Sequence, residues 1–207
     1  DQLISTNYGR DSLFSYCPEK YPKTMWSIPI ENIKSCSIDK KGQLYITTYH
    51  NLIKYNYKGE KIDQLSMDGQ IITQAIIDEA NNVYIGTRKR TLYKIDNSMN
   101  IVWEKKINDG QIRTPLIGSD STIFFGAGSK FYALNPDGRE KWCVTTKSSV
   151  TAPAAMDYKG LLYFGTESGV LNSFQTECKG LANSGWPKYN ADNRNSRNVQ
   201  AFSENGN

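Results

Sequence analysis

The chain has 207 residues, of which 38% are hydrophobic, and its 25 Lys and Arg residues against 21 Asp and Glu give a net charge of +4. This composition is typical of a globular protein and excludes a disordered chain, and the mild positive charge falls short of that of a dedicated nucleic-acid-binding protein. No apolar run is long enough for a membrane span or for the core of a signal peptide. Residues that favour strands are plentiful and no long window has the apolar spacing of a helix, so we expect an all-β protein.

One pattern recurs along the chain with a period of about 39 residues. In its clearest copy, Thr122 to Trp142, it reads as two short strands, a tight turn and a tryptophan. Turn residues such as the Asn-Pro-Asp-Gly run at 135–138 separate the strands. The same strand in each copy carries an aromatic residue: Tyr45, Tyr84, Phe124 and Tyr163. Four short antiparallel strands in a unit of about 40 residues are typical of a β-propeller blade.

In chain order, the repeat predicts blade units near residues 1–27, 28–65, 66–104, 105–143 and 144–187, followed by a C-terminal clasp at 188–207. The first unit supplies only the last three strands of a blade. The alternating run Asn198–Phe202 could supply its missing first strand and close the ring. We therefore predict an all-β propeller of four-stranded antiparallel blades, with five blades and one composite blade that joins the termini. The alternative is an open five-blade piece of a longer ring.

Tryptophans end most of the units. Trp103 and Trp142 are 39 residues apart, Trp26 precedes Trp103 by about two periods, and Trp186 follows Trp142 by 44 residues. The skipped position lies near Leu65. Because these tryptophans close the outer region of each unit, we interpret them as docking residues between blades. Stacking on a sugar ring is the alternative.

Two stretches carry a resemblance to a known family. The runs GAGSKFYALNPDGREKW and TAPAAMDYKGLLYFGTESGVL resemble the repeats of the pyrroloquinoline-quinone-like propellers. Within the first run, Ala133, Asn135, Gly138 and Trp142 look like that family's tryptophan-docking motif in a short form. The segment Gly185 to Arg197 also resembles a C-terminal segment found in such proteins, so the resemblance covers nearly the whole chain.

The family includes quinone-dependent dehydrogenases and non-catalytic scaffolds. The enzymes are much longer, hold calcium and often carry a disulfide between adjacent cysteines at the quinone. This sequence has no adjacent cysteines and offers no calcium-ligand set. The resemblance therefore implies the non-catalytic branch: a scaffold without cofactor or metal that binds protein partners outside the cytoplasm, in the periplasm or secreted. The absence of an initiator Met leads us to expect a processed chain or a module of a larger protein.

A ligand site at the mouth of the central channel is the alternative function, with a small molecule or a glycan as the ligand. The loop Thr87–Arg90 is the strongest local charge cluster and could hold a phosphate, a carboxylate or an acidic partner. Arg113 stands at the head of a channel strand and could bind an anion there. The candidate ligand-binding residues are His50, Arg88, Lys89, Arg90, Gln111, Arg113 and Lys147. A reduced quinone-dependent dehydrogenase is a third and weaker hypothesis.

The titratable residues that usually carry catalysis are sparse. His50 is the single histidine and has no flanking nucleophile motif, so we expect no catalytic residues and no multi-histidine zinc site. The four cysteines are widely spaced, which argues against a zinc knuckle and favours partly buried free thiols, while disulfides stay open as an alternative. These cysteines are Cys17, Cys36, Cys143 and Cys178.

Overall fold

The structure is a computed structural model that describes residues 3–6, 12–17 and 23–197. The regular structure of these residues consists of antiparallel strands in five sheets, which we call blades 1 to 5. No helix in the described part of the chain is long and apolar enough to cross a membrane.

The strands follow one another within each blade in chain order. Blade 1 contains β1 (Leu3–Thr6), β2 (Ser12–Cys17) and β3 (Lys23–Pro29). Blade 2 contains β4 (Ser35–Ile38), β5 (Leu44–Thr47), β6 (Asn51–Tyr55) and β7 (Lys61–Ser66). Blade 3 contains β8 (Ile76–Ile77), β9 (Val83–Gly86), β10 (Thr91–Ile95) and β11 (Ile101–Lys106). Blade 4 contains β12 (Leu116–Ile117), β13 (Ile123–Ala127), β14 (Lys130–Leu134) and β15 (Glu140–Thr145). Blade 5 contains β16 (Ala155–Met156), β17 (Leu161–Gly165) and β18 (Leu171–Gln175).

Blades 2, 3 and 4 have the four strands that the repeat predicts, whereas blades 1 and 5 have three each among the described residues. The run Asn198–Phe202, predicted to complete blade 1, lies outside the described residues. Blade 5 ends earlier than the predicted unit 144–187, because the chain leaves the sheet after Gln175.

An aspartate shapes the first hairpin of several blades. One carboxylate oxygen of Asp39 accepts hydrogen bonds from the backbone N–H groups of Lys41 and Gln43, at 2.8 and 2.9 Å. Asp78 and Asp157 likewise accept hydrogen bonds from the backbone N–H groups of the residues two and four positions later in the sequence. The side chain thus holds the turn closed by replacing a backbone acceptor, which explains the turn residues of the repeat.

The apolar core lies between consecutive blades. Separate clusters join blade 1 to blade 2, blades 2, 3 and 4 to one another, and blade 4 to blade 5. The aromatic residue of the second strand is the centre of each contact, because Tyr45, Tyr84 and Phe124 are 0%, 0% and 1% exposed. The hydroxyl of Tyr45 reaches Asn97 in the next blade at 3.3 Å. Each blade therefore buries its aromatic face only when another blade covers it.

Two tryptophans fasten the outer strand of one blade to a turn of the next. The indole N–H of Trp26 in β3 donates to the carbonyl oxygen of Tyr57 at 3.1 Å. The indole N–H of Trp103 in β11 donates to the carbonyl oxygen of Pro136 at 3.0 Å. Trp142 in β15 makes a different contact, since its ring packs on that of Phe174 in blade 5 at 6.4 Å.

The turn beneath each docked ring requires glycine. A Cβ atom on Gly59 would lie 2.8 Å from the Trp26 ring, and one on Gly138 would lie 3.0 Å from the Trp103 ring. Both glycines also have positive φ angles, 82° and 84°. Where β7 carries Leu65 instead of tryptophan, the matching turn residue of the next blade is Met99, with φ of 63°. A tryptophan in the outer strand of one blade thus occurs together with a glycine in the matching turn of the next blade.

After β18 the chain crosses the innermost strands of other blades. We call residues 178–197 the tail segment. The backbone N–H of Ile117 in β12 donates to the carbonyl oxygen of Pro187, and that of Ile77 in β8 donates to the carbonyl oxygen of Trp186, both at 2.8 Å. The tail segment thereby pairs with strand edges that would otherwise be open to other chains.

The tail segment is fixed by a buried lysine. The ammonium group of Lys188 donates to the carbonyl oxygens of Tyr189 and Asp192 at 3.0 Å and to the side-chain oxygen of Asn195 at 2.9 Å. Burial lowers the pKa of Lys188. Its three donors are all used, so the lysine organises the end of the chain instead of offering a charge to a ligand.

The start of the tail segment is anchored to blade 4 by a carboxylate. Asp120 accepts hydrogen bonds from the Cys178 thiol at 2.9 Å, from the Thr122 backbone and hydroxyl at 3.0 and 2.8 Å, and from Lys141 at 3.2 Å. Burial alone would raise the pKa of Asp120, but these donors outweigh it and hold the pKa at about 2. The folded state therefore favours the ionised carboxylate.

Replacing Gly138 with alanine is expected to lower the free energy of unfolding by about 2–4 kcal/mol, since a positive φ and a clash with the Trp103 ring both add cost. Gly169→Ala is the matched control, because Gly169 has φ of 78° with nothing within 4 Å of its Cβ position. It should lose only the backbone part, about 1–2 kcal/mol. Urea denaturation of the two variants measures the difference, and equal losses would contradict docking of Trp103 on this turn.

Asp120→Asn is expected to destabilise the chain by about 1 kcal/mol at neutral pH, an amount reduced because the carboxylate is partly exposed. The pKa of about 2 in the folded state lies below the ordinary 3.8, so the ionised form stabilises the fold above pH 3.8 and this stabilisation is lost as the pH falls towards 2. Urea denaturation at pH 7, 4 and 3 should therefore show the variant approaching the native chain. Asp68→Asn, at a side chain 72% exposed, is the control. A difference that is constant over this pH range would refute the anchor.

Candidate functional site

A cavity of about 750 Å³ opens among the innermost strands of blades 2, 3 and 4 and the tail segment. Its wall includes Ser35 and Cys36 of β4 and the residues 70–74 that lead into β8. Volumes of this size are common for sites that bind small molecules. The tail segment contributes Trp186 and Arg197 to the same lining.

Gln74 joins the parts of the cavity wall. Its amide nitrogen donates to the carbonyl oxygen of Cys36 at 3.2 Å, and its amide oxygen accepts from the backbone of Asn190 at 2.9 Å. Its own backbone N–H donates to the Thr114 hydroxyl at 3.3 Å. The side chain and backbone of this one residue thus connect blades 2, 3 and 4 with the tail segment, so the cavity exists only in the assembled fold.

The cavity has a positive lining. Lys34, Arg88 and Arg197 contribute to it, and no lining residue is acidic. None of the three forms an ion pair with a carboxylate in the described part of the chain. Lys34 lies over the ring of Tyr49, with 4.0 Å between its ammonium nitrogen and the ring centroid. Unpaired cations around a concave surface raise the local concentration of anions.

Of the seven residues predicted for the channel mouth, Arg88 lines this cavity. Its Nε atom donates to the side chain of Gln70 at 2.9 Å, and its carbonyl oxygen accepts from Gln111 at 3.2 Å. A terminal guanidinium nitrogen of Arg90 donates a hydrogen bond to the carbonyl oxygen of Asn108 at 3.3 Å. The structure therefore brings Arg88 and Gln111 together, and Arg90 joins blade 3 to the link that follows it.

The other four predicted residues lie apart from this cavity. Arg113 donates to a backbone carbonyl of the link into blade 5 at 2.9 Å. Lys89 forms an exposed ion pair with Asp68. His50 lines a separate cavity of about 500 Å³ beside blade 2. Lys147 is exposed.

Trp186 occupies a different place from the other tryptophans. It belongs to the tail segment, lines the cavity and is 3% exposed. Its indole N–H has no acceptor among the described residues. The cause is the departure of the chain from blade 5 after β18, which takes Trp186 out of the position that an outer strand would give it. The spacing of 44 residues from Trp142, instead of 39, is the sequence signal of this difference.

Several cavity residues were not found by sequence reasoning: Lys34, Gln70, Gln74, Asn190 and Arg197. The positions of Gln70 and Gln74, just before the first strand of the third unit, would have suggested the channel wall. Arg197 had no such signal, since its place depends on the path of the tail segment.

The thiols offer little nucleophilic chemistry. Cys36, Cys143 and Cys178 are free. Burial raises the pKa of Cys36 to about 12, and burial together with Asp120 raises that of Cys178 to about 11. Both stay protonated at neutral pH, whereas covalent catalysis needs the thiolate. In the described part of the chain no group of three His, Cys, Asp or Glu side chains is arranged to hold a metal ion.

Blade 5 has an open side. Tyr163 is only partly buried, although the equivalent aromatic residues of blades 2, 3 and 4 are covered completely. Leu171 and Val170 are 72% and 46% exposed. No fourth strand pairs with β18 among the described residues, whereas β7, β11 and β15 occupy that position in blades 2, 3 and 4. An apolar face and a strand edge are thus exposed together.

The hydrogen bonds between β17 and β18 identify the backbone groups that point outward. Val170 accepts from the N–H of Thr166 at 3.0 Å, and the N–H of Thr176 donates to Gly160 at 3.1 Å. Because pairing groups alternate along an antiparallel ladder, even-numbered residues of β18 face β17. The odd-numbered residues present their N–H and C=O groups at the outer edge: Leu171, Ser173 and Gln175.

No protein-family model matches the chain, and no curated protein matches it. Among solved structures it is similar to BamB from Moraxella catarrhalis, with 22% identity and a TM-score of 0.69 over 84% of this chain and 55% of that one. It is also similar to a protein of unknown function from Bacteroides caccae, with 12% identity and a TM-score of 0.59 over 88% of this chain and 72% of that one. BBS1N, solved in complex with ARL6DN, gives 11% identity and a TM-score of 0.66 over 86% of this chain and 62% of its own.

The chain spans about half the length of BamB. At these identities the likeness concerns the fold, and two of the three structures, BamB and BBS1N, are propellers. Together with the repeated antiparallel sheets, it confirms the all-β prediction: this chain folds as a β-propeller.

Proposed function

We propose that this chain is a non-enzymatic propeller scaffold that binds a protein partner at the open side of blade 5. The observation that carries the proposal is the joint exposure of the β18 edge and of the apolar face beside it. The structure of BBS1N in complex with ARL6DN is an example of a similar structure with a bound partner.

The internal repeat indicates what kind of surface fits this side. In blades 2, 3 and 4 the equivalent aromatic residue is buried because the strands of the next blade cover it. Burying a side chain such as Leu171 stabilises a complex by about 1.5–3 kcal/mol when the contact is complete. A partner that presents β-structure therefore reproduces a contact that this protein already makes three times.

The outer edge of β18 offers backbone hydrogen bonds, which fix the direction in which a partner strand can bind. An extended segment can pair with the outward groups of Leu171, Ser173 and Gln175 and so take the place of a fourth strand. The fourth strands of blades 2, 3 and 4 are six residues long, which sets the expected length of the partner's segment. Backbone pairing provides affinity and the face beside Leu171 provides selectivity.

The resemblance of the repeats to the pyrroloquinoline-quinone-like propellers, with BamB among the similar structures, supports the non-catalytic branch of that family and an extracytoplasmic location. Both assignments belong to the proposal. The protonated thiols of Cys36 and Cys178 favour a scaffold over covalent catalysis.

Ser173→Pro tests the edge, because proline removes an outward N–H and its ring blocks an added strand, whereas Ser173→Ala leaves the backbone unchanged. A photo-crosslinking residue at Leu171, in host cells that express the full chain, should give one discrete adduct. Proline at position 173 should reduce this adduct at least tenfold and alanine should not. A crosslinker at Tyr57, which is 57% exposed on blade 2, is the position control.

Circular dichroism must show that both Ser173 variants are folded. An adduct of native intensity in Ser173→Pro, or the same adduct from Tyr57, would overturn the proposal. Mass spectrometry of the adduct identifies the occupant, and an adduct between two copies of this chain would make the partner a second copy.

A further inference from the structure

We infer that the cavity among blades 2, 3 and 4 is a binding site for a small organic anion that carries a carboxylate or a phosphate group. The inference does not rest on the proposed function, because the cavity and the open side of blade 5 use different residues.

The cavity lining has an excess of unused hydrogen-bond donors. The indole N–H of Trp186 is buried and has no acceptor among the described residues, which costs about 1–3 kcal/mol. The hydroxyls of Thr73 and Thr114 each accept a backbone N–H, from Gly86 and Gln74, so their own hydrogens stay available to donate.

The amide oxygens of the lining, in contrast, are already used. The side-chain oxygen of Gln70 accepts from Arg88, and that of Asn190 accepts from the Nε atom of Arg197 at 3.0 Å. The side-chain oxygen of Gln74 accepts from the tail-segment backbone. With donors unused and these acceptors occupied, the complementary ligand is rich in acceptors.

The cavity lining is also positively charged. The Nε atoms of Arg88 and Arg197 each donate a hydrogen bond to a neutral amide oxygen, and no carboxylate of the described chain neutralises these two guanidinium groups. Each guanidinium keeps its terminal NH₂ groups, whose spacing suits two oxygens of a carboxylate or a phosphate. The bonds to Gln70 and Asn190 also hold both arginines in place, so little side-chain freedom is lost on binding.

The tail segment also contributes to the cavity lining. Trp186 lies in the first half of the tail segment and Arg197 at its last residue. The backbone hydrogen bonds of the tail segment to β8 and β12 hold it beside the cavity. A ligand that contacts both Arg88 of blade 3 and Arg197 of the tail segment would tie the tail segment to the blades. Binding should therefore raise the thermal stability of the whole chain.

Calorimetric and thermal-shift titrations of the full chain with citrate, glucose 6-phosphate and neutral glucose, at constant ionic strength, test the inference. We expect at least one of the two anions to bind and to raise the melting temperature, and glucose to do neither. The comparison of citrate with glucose 6-phosphate distinguishes a carboxylate site from a phosphate site. Absence of binding by both anions would overturn the inference.

Variants locate the binding. Arg88→Gln and Arg197→Gln should each weaken anion binding at least tenfold. Arg139→Gln, at a side chain 86% exposed, is the matched control and should bind as the native chain does. Equal binding by Arg88→Gln, Arg197→Gln and the control would overturn the site. Ser173→Pro should leave anion binding intact, so the two proposals fail separately.

Discussion

The structure depends on the contact that each blade makes with the next. A sheet of three or four short strands has two apolar faces, and neither can stay exposed without a cost in stability. The burial of Tyr45, Tyr84 and Phe124 shows that a neighbouring blade meets this need. Trp26 and Trp103 add a fixed hydrogen bond to the same contact at its outer rim. Because the contact repeats, a blade face that no neighbouring strands cover exposes the surface that the other blades bury, and among the described residues blade 5 has such a face.

The tail segment provides hydrogen-bond partners for the open edges of the innermost strands. Innermost strands pair with one neighbour only, so their second edge needs hydrogen-bond partners. Residues 178–197 supply them to β8 and β12, and Lys188 and Asp120 hold the segment in its path. The same path closes a polar cavity in which donors exceed acceptors. A structural requirement of the fold thus creates the site that we assign to an anion.

Much of the fold could be predicted from the sequence because propeller contacts are local and periodic. The spacing of Tyr45, Tyr84 and Phe124 predicts the strands. The sequence motif groups Gly138 with Trp142, whereas in the structure the ring of Trp103 lies on Gly138. The cavity could not be predicted in the same way. Gln74 is hydrogen-bonded to Asn190, which is 116 residues away in the sequence. This contact depends on the path of the tail segment, and the tail segment is not part of the repeat from which the blades are predicted. For this reason the repeat places Trp186 with the docking residues, although its spacing of 44 residues from Trp142 departs from the period.

The proposed function requires that the outer edge of β18 be available to a partner. Backbone amide hydrogen exchange of the full chain, measured residue by residue by NMR, tests it most directly. We expect fast exchange at Ser173 and Gln175, whose N–H groups point outward, and exchange at least tenfold slower at Asn172 and Phe174, which pair with β17. Equally slow exchange at all four amides would show that the outer edge of β18 is already paired in the isolated chain and is not available to a partner.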